Sequence, residues 1–237
     1  IYSLDASFLI NDSTGYFKIS RFAATTVEEF MQAAIPLKAK GMKQLILDLR
    51  GNPGGYLDAA TNLADQFLDD HKMIVYTEGK AKPRTEYDAT GSGEFENATV
   101  VIMIDEGAAS ASEILAGALQ DWDRATIVGR RSFGKGLVQE QTILPDGSAI
   151  RLTIARYYTP TGRSIQKPYD EGFDEYNNEL LKRFDHNELL SADSIHFPDS
   201  LQYTTPGGKI VYGGGGIMPD VFVPIDTTEI TEYFRAI

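Results

Sequence analysis

Cysteine is absent from this 237-residue chain, and histidine is scarce. Without a thiol, the chain has no cysteine nucleophile, no disulfide and no Cys-ligated zinc. The three histidines are His71, His186 and His196, and none of them stands in an apolar or glycine-rich setting. A Ser/His/Asp triad is therefore disfavoured.

The chain also lacks a hydrophobic run of transmembrane length, and no signal peptide opens it. It begins at Ile1 without an initiator methionine, so we expect a trimmed fragment whose missing N-terminus carried any targeting information. Positive charge is in deficit, because 22 Lys and Arg stand against 34 Asp and Glu, a formal net charge of −12. This charge disfavours a nucleic-acid backbone or an anionic membrane surface as a partner.

Predicted strands and helices alternate along most of the chain, which indicates an α/β fold with a mainly parallel sheet. Pro36 is expected to kink or end the first helix, and residues 80–97 to form a loop or a short hairpin. Residues 167–208 break the pattern and are expected to form an insertion packed on the edge, with one helix over 178–184. Strands are predicted over residues 15–22, 44–50, 73–77, 99–104, 125–128, 137–144, 149–158 and 221–224.

The most informative stretch is residues 105–114, Asp-Glu-Gly-Ala-Ala-Ser-Ala-Ser-Glu-Ile. A buried strand is predicted just before it, and apolar residues at helical spacing follow, so a helix begins near Ser112. Ser110 therefore lies at a sharp turn from strand into helix. Its alanine neighbours permit close approach, and the helix N-terminus presents N–H groups to negative charge, as a nucleophilic serine requires. On this stretch alone, a capping box of Ser110 and Glu113 is the commoner interpretation.

A nucleophilic serine needs a base, and Lys135 is the better candidate. It stands between two glycines and beside apolar residues. A lysine base near neutrality must fall from a pKa of about 10.4 to roughly 7–8, on the order of 4 kcal/mol of desolvation. Because the net charge opposes this shift, local burial has to supply it. The alternative is an ordinary surface lysine.

Residues 129–135 also match the first part of a phosphate-binding P-loop. That motif requires Ser or Thr at the next position to bind magnesium, and Gly136 stands there. It also requires a helix to follow, whereas residues 137–143 predict a strand. The nucleotide-binding interpretation is therefore rejected.

Five motifs together resemble the C-terminal processing (tail-specific) peptidase family, in the family's order and from about Gly15 to the end. They lie at residues 47–55, 109–113, 133–139, 158–165 and 216–220. The family uses a Ser/Lys dyad with the lysine 25 positions after the serine, and 135 − 110 = 25.

The resemblance assigns the nucleophile to Ser110 and the general base to Lys135. Gln139, four residues after the lysine, would orient the Lys135 amine. The oxyanion hole would consist of the backbone N–H groups of Gly55 and Ala111. The residues themselves agree, because glycine permits close backbone approach and two aligned donors suit a tetrahedral oxyanion.

The resemblance further implies a crotonase-like core with a C-terminal β-rich segment. The implied activity is a serine endopeptidase that cleaves protein or peptide substrates near their C-termini through an acyl-enzyme, with no metal or cofactor. We expect one peptidase core over residues 1–237 without the PDZ domain that usually precedes it. The resemblance also implies export to the bacterial periplasm or envelope, which the lack of cysteine suits; the oligomeric state stays open.

Two positions near the motifs have no catalytic role in this interpretation. Ala108 stands where family members often have Ser or Thr, and Asp121, 11 residues after Ser110, is expected to be structural. Two other classes of function remain: a catalytically silent peptide-binding scaffold of the same fold, and a crotonase-like acyl-CoA enzyme. Intact Ser110, Lys135 and Gln139 argue against the scaffold, and an acyl-CoA enzyme has no use for Ser and Lys at this spacing.

Overall fold

The computed structural model describes residues 2–170 and 172–227, which form a mixed α/β fold. The strands are β1 (Leu4–Leu9), β2 (Thr14–Ile19), β3 (Gln44–Asp48), β4 (Met73–Glu78), β5 (Thr85–Asp88), β6 (Thr99–Ile104), β7 (Ala125–Gly129), β8 (Leu137–Ile143), β9 (Ala149–Tyr158), β10 (Gln202–Thr204), β11 (Ile210–Tyr212) and β12 (Val221–Phe222). The helices are α1 (Thr26–Ala39), α2 (Leu57–Asp65), α3 (Ala111–Asp121) and α4 (Phe173–Asp185), with 3₁₀ turns at Ala192–Ser194 and Asp199–Leu201.

The larger sheet has six strands in the order β1-β2-β3-β6-β7-β12. Its strands are parallel from β2 to β12, and β1 joins the edge antiparallel to β2. Leu47 and Ile102, on the central strands, are fully buried. Continuous apolar runs suit such strands because helices cover the faces of a parallel sheet. The expected mainly parallel sheet is therefore present.

Helix α3 is the centre of the core, since every residue from Ala111 to Asp121 is buried. It packs against α2, β4 and β7. A helix buried on all sides is held by the packing around it, so its N-terminus has a fixed position. That N-terminus lies directly after β6, at the carboxyl edge of the parallel sheet.

The second sheet is antiparallel, with strand order β5-β4-β9-β8. Strand β8 lies at its edge and pairs only with β9 among the described residues. The pairing shifts register between Val138 and Gln139, so β9 carries one extra residue there. The hairpin places a long, largely exposed strand next to the end of the large sheet.

Several sequence expectations needed correction. Helix α1 does not end at Pro36 but continues to Ala39, although the proline has no N–H to donate to the carbonyl four residues earlier. Of the loop or short hairpin expected over residues 80–97, the hairpin is present, because β5 pairs antiparallel with β4. The helix of residues 167–208 is longer than the predicted 178–184, and the last strand is shorter than 221–224. Strand β1 was not predicted.

No helix in 2–170 or 172–227 combines the length and apolarity needed to cross a bilayer.

A buried ion pair fastens the C-terminal end of α3. Both side chains of Asp121 and Arg163 are fully buried, and Arg163 Nη2 and Nε donate to Asp121 Oδ1 at 2.7 and 3.1 Å. The backbone N–H and hydroxyl of Thr161 donate to the other carboxylate oxygen at 3.0 and 2.7 Å. Arg163 Nη1 also donates to the Tyr212 carbonyl at 2.8 Å. Asp121 therefore holds the turn after β9 against the helix, which is a structural role.

We predict that Asp121→Ala lowers the free energy of unfolding by about 3–5 kcal/mol, because Arg163 is left buried without its counter-charge. The measurement is chemical denaturation monitored by circular dichroism. Glu140→Ala is the control, since it removes a half-exposed pair with Lys82 and is expected to cost less than about 1 kcal/mol. Equal losses in the two variants would contradict this assignment.

Candidate active site

Ser110 occupies a strained turn between β6 and α3. Its backbone has φ +56° and ψ −113°, a left-handed region that residues other than glycine seldom adopt. Asp105 holds the turn, because its Oδ1 accepts hydrogen bonds from the N–H groups of Gly107, Ala108 and Gly51 at 3.0, 3.1 and 2.7 Å. Such strain persists only where the surroundings impose it, and a strand-to-helix turn of this kind exposes a serine hydroxyl.

The buried carboxylate of Glu113 connects the serine turn to the lysine loop. Its Oε2 accepts the backbone N–H of Ser110 at 2.8 Å and that of Lys135 at 2.8 Å. Its Oε1 accepts the N–H of Gly134 at 2.7 Å and the Ser132 hydroxyl at 2.5 Å. Burial raises the pKa of Glu113, and these four hydrogen bonds oppose that rise. The carboxylate half of the predicted capping box is thus present, and it uses the backbone of Ser110.

The glycine loop after β3 is packed against the serine turn. Asn52, fully buried, accepts the Gly54 N–H on its side-chain oxygen at 2.9 Å, and its carbonyl accepts the Ala109 N–H at 2.9 Å. Gly54 has φ +95°, and a Cβ atom there would lie 2.7 Å from Ser110 Cβ and 2.9 Å from Ala111 N. Only glycine therefore fits at position 54. This close packing places the next residue, Gly55, near Ser110.

An acidic residue at the end of β3 supports this loop. The Asp48 carboxylate accepts hydrogen bonds from Arg50 Nη2 at 2.7 Å and from the Tyr16 hydroxyl at 2.6 Å. Burial alone would raise the pKa of Asp48, but these bonds, the Arg50 backbone N–H and the nearby charge of Lys18 hold it at about 2. Asp48 therefore stays ionised at neutral pH and fixes the start of the loop.

The two expected oxyanion donors are backbone N–H groups that face no protein acceptor. Within 2–170 and 172–227, neither Gly55 N–H nor Ala111 N–H donates a hydrogen bond to another protein group. Ala111 is the first residue of α3, where an N–H has no partner inside the helix. Gly55 lines the cleft together with Ser110, whereas Ala111 is buried and does not belong to that lining. The oxyanion role of the two N–H groups remains a prediction.

A cleft of about 480 Å³ brings four of the five expected residues together. Its lining consists of Gly55, Tyr56, Ser110, Lys135, Leu137, Gln139, Gln141, Arg151 and Tyr157. None of the three histidines belongs to this lining.

Lys135 is exposed in this structure, so the expected burial, which a lysine base near neutrality requires, is not provided by the chain itself. The two flanking glycines are buried, but the lysine side chain projects into the open cleft. In the part of the chain that the structure describes, its amine forms no ion pair and no hydrogen bond with Ser110 or Gln139. The roles of Lys135 and Gln139 remain predictions.

Helix α4, in the segment expected to be an insertion, holds the residues just before Lys135 by hydrogen bonds, a contact that the sequence did not reveal. The Arg183 side chain is 3% exposed, and its Nη1 donates to the Ser132 carbonyl at 2.8 Å. Its Nη2 reaches the Phe133 carbonyl at 3.3 Å, and Nε pairs with Glu179 at 2.6 Å. The lysine loop is therefore held by Glu113 on one side and by α4 on the other. The i, i+4 spacing of Glu179 and Arg183 predicts only an ion pair on the helix surface, not a contact with the lysine loop.

We predict that Gly54→Ala lowers the peptide hydrolysis that the family resemblance implies by about 100-fold or more, because the added methyl group displaces the serine turn or the expected donor at Gly55. Initial rates on a denatured protein substrate measure the effect. Gly147→Ala is matched to it, since Gly147 also has a positive φ, +84°, but has open space around its Cβ position. Hydrolysis in Gly54→Ala equal to that of Gly147→Ala would contradict the proposed contact.

The chain is similar to several known proteases. It is 43% identical over 209 residues to a carboxyl-terminal-processing protease of Synechocystis sp., covering 86% of this chain and 47% of that protein. It is 39% identical over 163 residues to a carboxy-terminal-processing protease of Bartonella bacilliformis, covering 67% of this chain and 38% of that protein. The chain thus spans less than half the length of these relatives.

The fold is similar to that of a solved photosystem II D1 C-terminal processing protease, with a TM-score of 0.65 and 30% identity. That match covers 89% of this chain and 42% of the other. Residues 13–173 match the family model described as Peptidase family S41, which is more than half of the chain. On this match and the identity to the relatives, the chain belongs to Peptidase family S41.

Proposed function

We propose that this chain is the catalytic core of a serine endopeptidase that cleaves protein substrates near their C-termini through a Ser110/Lys135 dyad. The observation that carries the proposal is the single cleft lined by Ser110, Lys135 and Gly55. The names of the relatives support the position of the cut near the C-terminus. The parallel sheet and the paired backbone donors support a crotonase-like core.

In the proposed mechanism, the Ser110 hydroxyl oxygen attacks the scissile carbonyl while neutral Lys135 takes the hydroxyl proton. The backbone N–H groups of Gly55 and Ala111 donate to the oxyanion that forms. The tetrahedral intermediate collapses, and the Lys135 ammonium returns its proton to the leaving amine. Lys135 then takes a proton from a water molecule, whose oxygen attacks the acyl-enzyme ester. As the ester bond breaks, the Lys135 ammonium returns that proton to the Ser110 oxygen, which releases the new C-terminus and restores both side chains.

Because Lys135 is exposed in the free chain, the substrate itself has a further role in the proposed mechanism, which is to shield the amine from water. A peptide that fills the cleft removes water from the amine, and desolvation disfavours the ammonium form. In this account, the general base becomes competent when the substrate is bound. Gln139 lies on the same cleft wall and would orient the amine in that closed arrangement. The resemblance also supports export to the bacterial periplasm or envelope.

The test is digestion of an unstructured protein between pH 6 and pH 10, with products identified by mass spectrometry. Hydrolysis is expected to rise with pH because the proposed mechanism needs a neutral amine as the base, and products near the C-terminus are expected to dominate. Lys135→Ala and Ser110→Ala should each lower hydrolysis by about 10³-fold or more.

Lys43→Ala is the matched control, because Lys43 is an exposed lysine outside the cleft. It should leave the rate unchanged. Hydrolysis that persists in Lys135→Ala would overturn the dyad. Peptide binding without any cleavage by the unsubstituted chain would favour the peptide-binding scaffold instead.

A further inference from the structure

The charge of the cleft is opposite to that of the protein. The chain contains 34 acidic residues and has a net charge of −12. The nine residues that line the cleft include two cations, Lys135 and Arg151, and no carboxylate. Lys135 has a place in the proposed mechanism, and Arg151 does not.

The β8–β9 hairpin fixes where Arg151 stands. Gln141 and Arg151 are directly opposite each other in the two strands, and Arg151 Nη2 donates to Gln141 Oε1 at 2.9 Å. Strand alternation places Leu137, Gln139 and Gln141 on one face, the face that lines the cleft. Four residues of strand put Gln141 about 13 Å from Leu137. Arg151 therefore stands at the far end of the cleft from the lysine loop.

Arg151 has no carboxylate partner in 2–170 or 172–227, unlike most arginines that the structure describes. Those that pair with a carboxylate are Arg50, Arg84, Arg130, Arg131, Arg163 and Arg183. A guanidinium carries five N–H donors in a planar fork that matches a carboxylate in a bidentate arrangement. One of these donors is used by Gln141, which orients the group and leaves the others available.

We propose that Arg151 binds a carboxylate of the bound peptide, so that the substrate class of this cleft is a peptide with a carboxylate several residues from the scissile bond. This inference rests on the proposed function. The carboxylate is either the C-terminal group or an acidic side chain. Because β8 is a sheet edge beside Ser110, an extended peptide along it reaches from the serine to Arg151. The distance between them then sets how far from the carboxylate the cut falls.

The test measures peptide binding by the Ser110→Ala chain, which cannot form the acyl-enzyme, using fluorescence anisotropy at low ionic strength. Three labelled forms of one peptide are compared: a free C-terminal acid without acidic side chains, its C-terminal amide, and the amide with one glutamate. A form with a carboxylate should bind about tenfold more tightly than the plain amide, because it can form charge-assisted bidentate hydrogen bonds with the Arg151 guanidinium. Screening by high salt should reduce this advantage.

Arg151→Gln, introduced into the Ser110→Ala chain, should abolish the advantage, so that the two forms with a carboxylate bind no more tightly than the plain amide. Arg151→Lys should restore part of it. Arg156→Gln is the matched control, because Arg156 is an exposed arginine of the same strand outside the cleft lining, and it should keep the full advantage.

The arms of the experiment identify the carboxylate. If only the C-terminal acid binds more tightly than the plain amide, Arg151 binds the C-terminal carboxylate. If the amide with one glutamate also binds more tightly, Arg151 binds an acidic side chain. Equal binding of all three forms, or equal weakening of all three by Arg151→Gln, would overturn the proposal. Because binding needs no intact serine, this result is independent of the hydrolysis experiment that tests the dyad.

Discussion

The structure of the site depends on one buried carboxylate, that of Glu113. It accepts four hydrogen bonds, three from backbone N–H groups and one from a hydroxyl, and forms no ion pair in the ranges 2–170 and 172–227. Its position in the first turn of α3 adds the favourable helix dipole. Removing the carboxylate would leave two buried and two partly buried donors without an acceptor, at about 1–3 kcal/mol for each buried one, a large part of the stability of a domain. The serine turn and the lysine loop are therefore held as one unit.

Other contacts extend this unit outward from Glu113. Ser132, which donates to Glu113, also accepts the Ile217 N–H at 2.6 Å and so connects the glycine loop before β12. Gly54 fits the loop after β3 against the same serine turn. Arg183 of α4 holds the carbonyl side of the lysine loop, so residues far apart in sequence converge on one short segment. The Lys135 side chain, which the proposed mechanism uses as the base, has fewer contacts with the described residues and is exposed to the cleft.

The sequence predicted what depends on local pattern and missed what depends on contacts between segments. Ser110 and the two donor positions lie in short motifs with their own turn chemistry, and the parallel strands have continuous apolar runs. Glu113 could be read only as a cap, because its other partners lie 19 to 22 residues downstream and no periodicity connects them. Lys135 was expected to be buried from its apolar neighbours, but the flanking glycines are buried in its place. The contact of Arg183 in α4 with the lysine loop was likewise not predictable, because a packed segment and a solvated one have similar composition.

The most direct measurement is amide hydrogen exchange at Lys135, whose backbone N–H is bound by Glu113 although its side chain is exposed. The account predicts that this amide exchanges at least about 100-fold more slowly than in an unstructured chain. It also predicts that Glu113→Gln removes the protection while β6 stays protected, because an amide nitrogen must then face a backbone N–H. Glu106→Gln, which affects a neighbouring carboxylate paired with Arg130, should preserve it. An unprotected Lys135 amide, or protection that survives Glu113→Gln, would contradict the account.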